Sequence, residues 1–496
     1  MTNPLQFSME LGGPAEKKHA SGRDPLRILL LSDLGSTCRS RSEHALEQRP
    51  MKTLDIDALD DLLATEAPTV DLSAGTFSPK EIDDFHADHV LTQFEIFQTL
   101  KDLRSRLKVP SMFDAAAAEV RALLKTGTPE LSVSGDSATP DESDTDTLAR
   151  LFGQSPEATA ERAPQSGSSY LDTLLRDAVA SHIVHEGPPE ADHYIAAVDA
   201  AAAAHLRAIL RDPGFQQLER AWRGVSLLAS GIETDEDISI HLWNVSAMEL
   251  IDALGPQDHP LDQTVLHRRI IDQRQDEPFT LIVPDLIFDP SPEHLRLLAS
   301  LGAMAGRSGA LVLAGIEPHM IGAPSWSTIA NAPEALGEAD TNWAALCSSP
   351  MGQHIVALGP RFLMRSPYGK RRDPVDAFFD FDEMPNPGTD PDAILWGSSA
   401  LIATMLIAQC FDTGGWSAKL TNNLGYDDLP LVSYEADGEQ MLLPCAEVLL
   451  ADRVAEAILA AGPVPVVAVR NQNAVRLPWL QPISGTGSGT LGPFSL

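Results

Sequence analysis

Apolar residues recur at three- and four-residue steps along DDFHADHVLTQFEIFQTLKDLRSRL, residues 83–107, at Val90, Phe94, Phe97, Leu100, Leu103 and Leu107. That period puts them on one face of a helix, and Asp84 is placed to cap its amino end. A shorter helical face is predicted at Leu54, Ile56, Leu59, Leu62 and Leu63, and further helices over 170–184, 191–210 and 215–229. The last two are separated by Asp212-Pro213-Gly214, a helix-breaking step. LRILLLSDLG, residues 26–35, is different: its apolar run is continuous, as expected of a short strand buried on both faces and ending in a turn. From residue 238 onward the two patterns alternate. ISIHLWNV (238–245), FTLIVPDLIF (279–288), ALVLAGI (310–316) and VPVVAVR (464–470) are predicted strands, and 247–254, 292–305 and 446–461 are predicted helices. Alternation of this kind predicts an α/β fold, a sheet sandwiched by helices.

Composition then divides the chain. Residues 1–24 are polar and expected to fray. Residues 25–125 form a small α/β module. Residues 126–169, which include GTPELSVSGDSATPDESDTDT, are rich in Pro, Ser, Thr, Gly and acid. Too little surface can be buried there to offset ordering entropy, so a flexible acidic linker is expected. Residues 170–475 form a larger α/β domain, and 476–496 a loose Gly/Ser-rich tail.

Charge narrows the partners. The 496-residue chain carries 70 acidic and 36 basic residues, a formal net charge of −34. A phosphate backbone or an anionic membrane surface is repelled by such a chain, and a basic or charge-matched protein partner is favoured. Cys38, Cys347, Cys410 and Cys445 show no short spacing, so neither a disulfide framework nor a metal or redox pair is expected. A reduced compartment, the cytoplasm, follows as the default, and the amino terminus lacks the apolar core of a secretory signal. ILWGSSALIATMLIAQCF, residues 394–411, approaches membrane-spanning length, but it holds Ser and Gln and is bracketed by Asp392 and Asp412. A buried core helix is the expectation.

Candidate chemistry is sparse. Gly487, Gly489 and Gly492 spell GxGxxG, without room for the helix and acid that a dinucleotide site needs. His86 with His89, and His182 with His185 and Glu186, stand at helical spacing but lack a clear third ligand, and surface or capping roles are expected. There is no GxSxG elbow and no P-loop. No cofactor, metal or catalytic residue is assigned, and the protein is read as non-enzymatic. What the sequence does concentrate is Gly, Pro and aromatic residues, in PRFLMRSPYG (360–369), DPVDAF (373–378) and ILWGSS (394–399). Rigid backbone punctuation beside large apolar anchors suits packing against copies of a protein. Upstream, Phe215, Leu218, Trp222, Val225 and Leu228 make a core stripe, with Arg223 reaching from it toward solvent.

These blocks, with RDPGFQQLERAWRGVSLL (211–228), ISIHLWNVSAMEL (238–250), FDPSPEHLRLLASLGAMA (288–305) and FDTGGW (411–416), resemble the large subunit (TssC, VipB or ImpC) of the type VI secretion contractile sheath. LSDLG (31–35) and DDFHADHV (83–90) are similar to the small subunit (TssB or VipA). The resemblance implies a cytoplasmic, oligomeric structural subunit that acts through packing around an inner tube. Its partners would be the small and large sheath subunits, the tube protein Hcp, and possible baseplate and ClpV ATPase contacts. Structural or interface roles are expected for Trp222, Arg223, Gly224, Arg361, Phe362, Pro367, Tyr368, Gly369, Pro374, Trp396, Gly397 and Trp416. Leu171, Leu174, Leu175 and Ala178, an apolar stripe after the linker, are candidates for ATPase recognition. The family's large subunit continues past its last strand into arms that exchange strands with neighbours, where this chain turns into the Gly/Ser tail. The chain is therefore expected to join or end a sheath rather than form tubes alone. Two alternatives stand beside this reading: a regulatory module that captures sheath subunits without polymerising, and a hydrolase, since an α/β scaffold alone never excludes activity.

Overall fold

The computed structural model describes residues 24–125, 191–370, 372–385, 394–420, 424–430, 432–436, 439–485 and 490–495. Its centre is an eight-stranded sheet. Seven of the strands are β1 (Leu26–Ser32), β2 (Lys52–Thr53), β3 (Ile238–Asn244), β4 (Leu281–Pro284), β5 (Leu311–Ile316), β6 (Ile355–Gly359) and β7 (Val464–Pro465). Their spatial order is β7-β6-β5-β4-β1-β3-β2, and Ile287–Phe288 adds a short strand beside β5. Every pairing along this path is parallel except that of β2 with β3.

β1 occupies the middle of the sheet. It pairs residue for residue with β3, from Leu26 opposite Ile238 to Ser32 opposite Asn244, and on its other edge with β4. Its side chains alternate between two cores: Leu26, Ile28 and Leu30 face one, Leu29 and Leu31 the other. The continuous apolar run in its sequence is what burial on both faces requires. Residues 25–125 and 170–475, separated in the sequence reading, thus share one sheet.

Helices cover both faces. On the first lie α1 (Glu95–Leu107), α2 (Pro110–Lys125), α3 (Ala191–Leu210), α4 (Pro213–Gly231) and α6 (Ser399–Gly414). On the second lie α5 (Pro292–Ser308) and α7 (Asp452–Ala460). The break between α3 and α4 has a clear cause. Asp212 caps α4 by accepting from Gly214 N and Phe215 N at 2.8 and 3.2 Å, and Pro213 fills a first-turn position that needs no donor. Most of the apolar stretch 394–411, expected as a buried core helix, lies in α6, which is buried along most of its length between the sheet and α4. Among the described residues no helix is long and apolar enough to cross a membrane.

Three local expectations change. Asp84 does not cap the long helix. It is the third residue of a capping box with Glu81, accepting from Lys80 N at 2.6 Å, and the chain breaks at Phe94 into a short helix, Ala87–Gln93, followed by α1. The helix expected at 54–63 begins later, at Leu59, after a short 3-10 turn. In the tail, apolar residues scattered among Gly and Ser find the core. Val475–Leu477 pairs with two short strands, and the hairpin at 490–495 buries Leu491 and Phe494, the latter 5.2 Å from the Trp416 ring.

An engineered protease site within 126–169 tests this sharing of a sheet. After cleavage the two pieces should stay associated on a sizing column, and residues 1–125 expressed alone should lack cooperative melting, because β1 would lose both neighbours. Two fragments that separate and melt independently would refute it.

Candidate functional site

α4 presents an apolar stripe of Phe215, Leu218, Trp222, Val225 and Leu228, all buried. Glu219 lies on the same buried face, with no exposed surface. A carboxylate in that position is tolerable only when cations and donors meet it. Arg223, one turn on, reaches it at 2.7 Å. Arg365, from PRFLMRSPYG, places Nε 2.7 Å from the same carboxylate. The other edge of the Arg365 guanidinium takes Glu383 bidentately, at 2.8 and 2.9 Å, in the fork geometry that suits arginine. Glu383, also fully buried, accepts a further bond from Tyr368 N at 2.8 Å.

Tyr368 completes the hub. The guanidinium carbon of Arg365 stands 4.4 Å from its ring centroid, a cation–π contact. The Tyr368 hydroxyl donates to Phe85 O at 3.3 Å and lies 3.4 Å from Arg223 Nη2. Arg211 donates to Glu383 O and Arg207 to Asp382 O, at 2.9 and 2.8 Å, fixing the 380–384 backbone on α3. Two carboxylates and two guanidiniums thereby tie together α4, the RSPYG turn and the 380–384 segment, and Tyr368 extends the link to the amino-terminal unit.

The electrostatics follow from this enclosure. Burial alone would push the Glu219 carboxyl up, but Arg365 and Arg223 outweigh it and hold the group below the usual carboxylate range. Burial likewise opposes the Arg365 charge, and Glu219 and Glu383 hold its guanidinium well above the ordinary value. Burial raises the Tyr368 hydroxyl, which stays neutral.

The expected residues divide around the hub. Arg223 and Tyr368 belong to it, and Pro367 and Gly369 lie buried in its turn. Trp222 is fully buried beside it, its indole N–H donating to Leu34 O at 3.2 Å. Gly224 allows α6 to approach α4, since an added Cβ would meet Leu401 at 3.0 Å. Phe362 and Gly397 oppose each other in a two-residue antiparallel pair, where a Cβ on Gly397 would lie 2.7 Å from the Phe362 ring. Arg361 lies apart, paired with Glu447 through Nε at 3.0 Å. Trp396 and Trp416 are half-buried, Trp416 packing on Phe411 at 4.8 Å, and Pro374 is exposed. Leu171, Leu174, Leu175 and Ala178, with His182, His185 and Glu186, fall outside the described residues. His86 caps the helix Ala87–Gln93 by accepting from Asp88 N at 3.2 Å. Glu81, Asp84 and His89 cluster near it at the surface, where Asp84 is already engaged in capping.

Glu219, Arg365 and Glu383 were not singled out from the sequence. A signal was present for one of them: Glu219 falls four residues after Phe215 and three before Trp222, a charge on the helix's apolar stripe.

The fold and the hub describe an α/β body in which buried charges fix segments against one another. Residues 192–477 match the VipB family, described as EvpB/VC_A0108, tail sheath N-terminal domain, and the chain belongs to that family. It is similar to the type VI secretion system sheath protein TssC1 of Pseudomonas aeruginosa, with 28% identity over 343 residues, covering 66% of this chain and 68% of the relative.

Two outcomes test the hub. Arg365→Met should cost about 3–5 kcal/mol in chemical denaturation, because it leaves two carboxylates buried without their shared cation. Glu219 has a folded-state pKa below its ordinary value of 4.5, so its stabilisation is present above that pH and is lost as pH falls through the folded value. Glu219→Gln should therefore destabilise the protein at neutral pH and flatten the acid limb of its stability profile. An unchanged acid limb would show that the hub does not couple to folding.

Proposed function

We propose that the protein is a structural subunit of a type VI secretion sheath, of the large-subunit kind, and that residues 25–125 supply a small-subunit-like part within the same chain. The observation that carries this reading is the seat of β1 between β3 and β4, joined to a family match that begins well downstream, at residue 192. A strand from the amino-terminal unit completes the sheet of the family domain, as a strand from a second subunit does in β-augmentation.

Function in this reading resides in interfaces repeated along an assembly, and no substrate is turned over. The family implies contact with other sheath subunits and oligomerisation. Contacts with the inner tube protein Hcp, the baseplate and the ClpV ATPase, and a cytoplasmic location, belong to the same proposal. A rigid body suits it, because force passes between copies only if each copy resists deformation. The hub, which locks the RSPYG turn to α4, supplies such rigidity.

Negative-stain microscopy of the chain with separately produced small and large sheath subunits tests the proposal. The expected result is tubular or ring-shaped assemblies that contain the chain by immunogold labelling. A chain that stays monomeric and unlabelled under every mixing condition would sink it.

A further inference from the structure

Residues 490–495 form a hairpin that meets the body through few groups. Thr490–Leu491 pairs with Phe494–Ser495, and among the described residues this two-stranded sheet has no further strand and no backbone hydrogen bond to the body. Gly492 opens the turn at φ +56°, a conformation that costs glycine little, and the ring of Pro493 fixes the next φ. Attachment therefore falls to side chains. Leu491 and Phe494 stand opposite each other across the hairpin and so share one face. Neither has any exposed surface.

That face seats in a socket beside the first residues of β1 and β5. The Phe494 ring lies 5.2 Å from that of Trp416, which packs on Phe411 of α6 at 4.8 Å. Trp416 is held in turn by its indole N–H, which donates to Asp24 O just before β1. Gly492 passes so close to β5 that an added Cβ would stand 3.1 Å from the Leu311 Cβ. Large apolar anchors in a desolvated pocket are how an interface recognises a short peptide. Residues 486–489, Thr-Gly-Ser-Gly, connect this one to the body at Gly485.

We propose that this socket is a docking site for residues 490–495 of a second copy of the chain, and that the isolated molecule fills it with its own. Exchange of an identical element replaces every contact by its equal, so the docked state is the same in either form. What favours the internal form is local concentration, on the order of millimolar across a short connection. Copies packed side by side raise the external concentration to the same order, and hairpins can then cross between them. The connection sets a limit, since from Gly485 to Thr490 it reaches at most about 18 Å. Only a copy whose socket faces that point can take the hairpin. A second copy suffices, whether or not a sheath forms.

Full-length variants test it. Leu491→Ala with Phe494→Ala removes both anchors and vacates the socket, while Trp416→Ala, or Trp416→Leu should the first not fold, removes the socket and keeps the tail. A fluorescein-labelled peptide of residues 487–496 should gain anisotropy on the vacated variant, with a Kd of about 0.1 mM. On the unaltered chain it should bind about tenfold more weakly, because the internal hairpin competes at an effective concentration of order millimolar. The same peptide with both anchors changed to Ala should not bind. Light scattering of the two variants mixed at about 0.2 mM should give a larger average mass than either alone. Circular dichroism checks each fold. No binding of the peptide at about 1 mM by a folded, vacated variant would overturn the proposal. So would equal binding of the anchorless peptide, or an unchanged mass in the mixture, which would confine the contact to one chain. If the double variant does not fold, Phe494→Ala alone takes its place. Failure of both to fold would make the hairpin part of the core and overturn the proposal as well.

Discussion

Taking Arg365 out of water between Glu219 and Glu383 is favourable only if both pairs form together and in good geometry. The guanidinium supplies two edges, and the structure uses both: one meets a carboxylate on α4, the other a carboxylate from the 380–384 segment. A half-formed hub leaves a charge stranded in a low-dielectric interior, so intermediate placements of the RSPYG turn are disfavoured. The hub therefore selects one arrangement more than it adds net stability. The placement of the surrounding elements depends on that selection. Tyr368 reaches Phe85 from within the hub, and the adjoining Trp222 reaches Leu34, so the amino-terminal unit is held at both points.

The sheet states the same dependence in backbone terms. β1 has hydrogen-bonded neighbours on both edges and cores on both faces. The amino-terminal unit is thus an internal part of the domain that the family match identifies. α6 packs across this sheet from one side and α4 packs against α6, with Gly224 permitting the approach. A layered body of this kind transmits displacement with little internal give, because close-packed interiors have low compressibility.

Much of this was legible in the sequence, and the exceptions have physical causes. α3 and α4 announced themselves by period and by the Asp-Pro-Gly break, and β1 by an apolar run that only two-faced burial explains. That β1 would join the distant unit was not legible, since periodicity reports burial and carries no information on which strand lies alongside. The hub was missed because a sequence scan assigns charges to solvent. Glu219 and Arg365 break that rule jointly, and neither position reveals the other across 146 residues. The tail departs from a loose segment for a compositional reason. Gly and Ser dominate its average, while Leu491 and Phe494, which decide its fate, are single residues. Asp84 serves a cap as the third residue of a capping box, not as the cap itself, a distinction that its spacing alone does not carry.

The central position of β1 also has a consequence during synthesis. Its partners lie far downstream, β3 beginning at Ile238 and β4 at Leu281. At translation rates of about 5–20 residues per second, the strand emerges roughly ten to forty seconds before β3 follows it. Over that interval LRILLL is an exposed apolar strand with two open edges. The newborn chain must keep it apart from other chains on the same polysome. The ribosome-bound protein is therefore more vulnerable to aggregation than the finished one, and a chaperone that shelters extended apolar segments would act chiefly in that window.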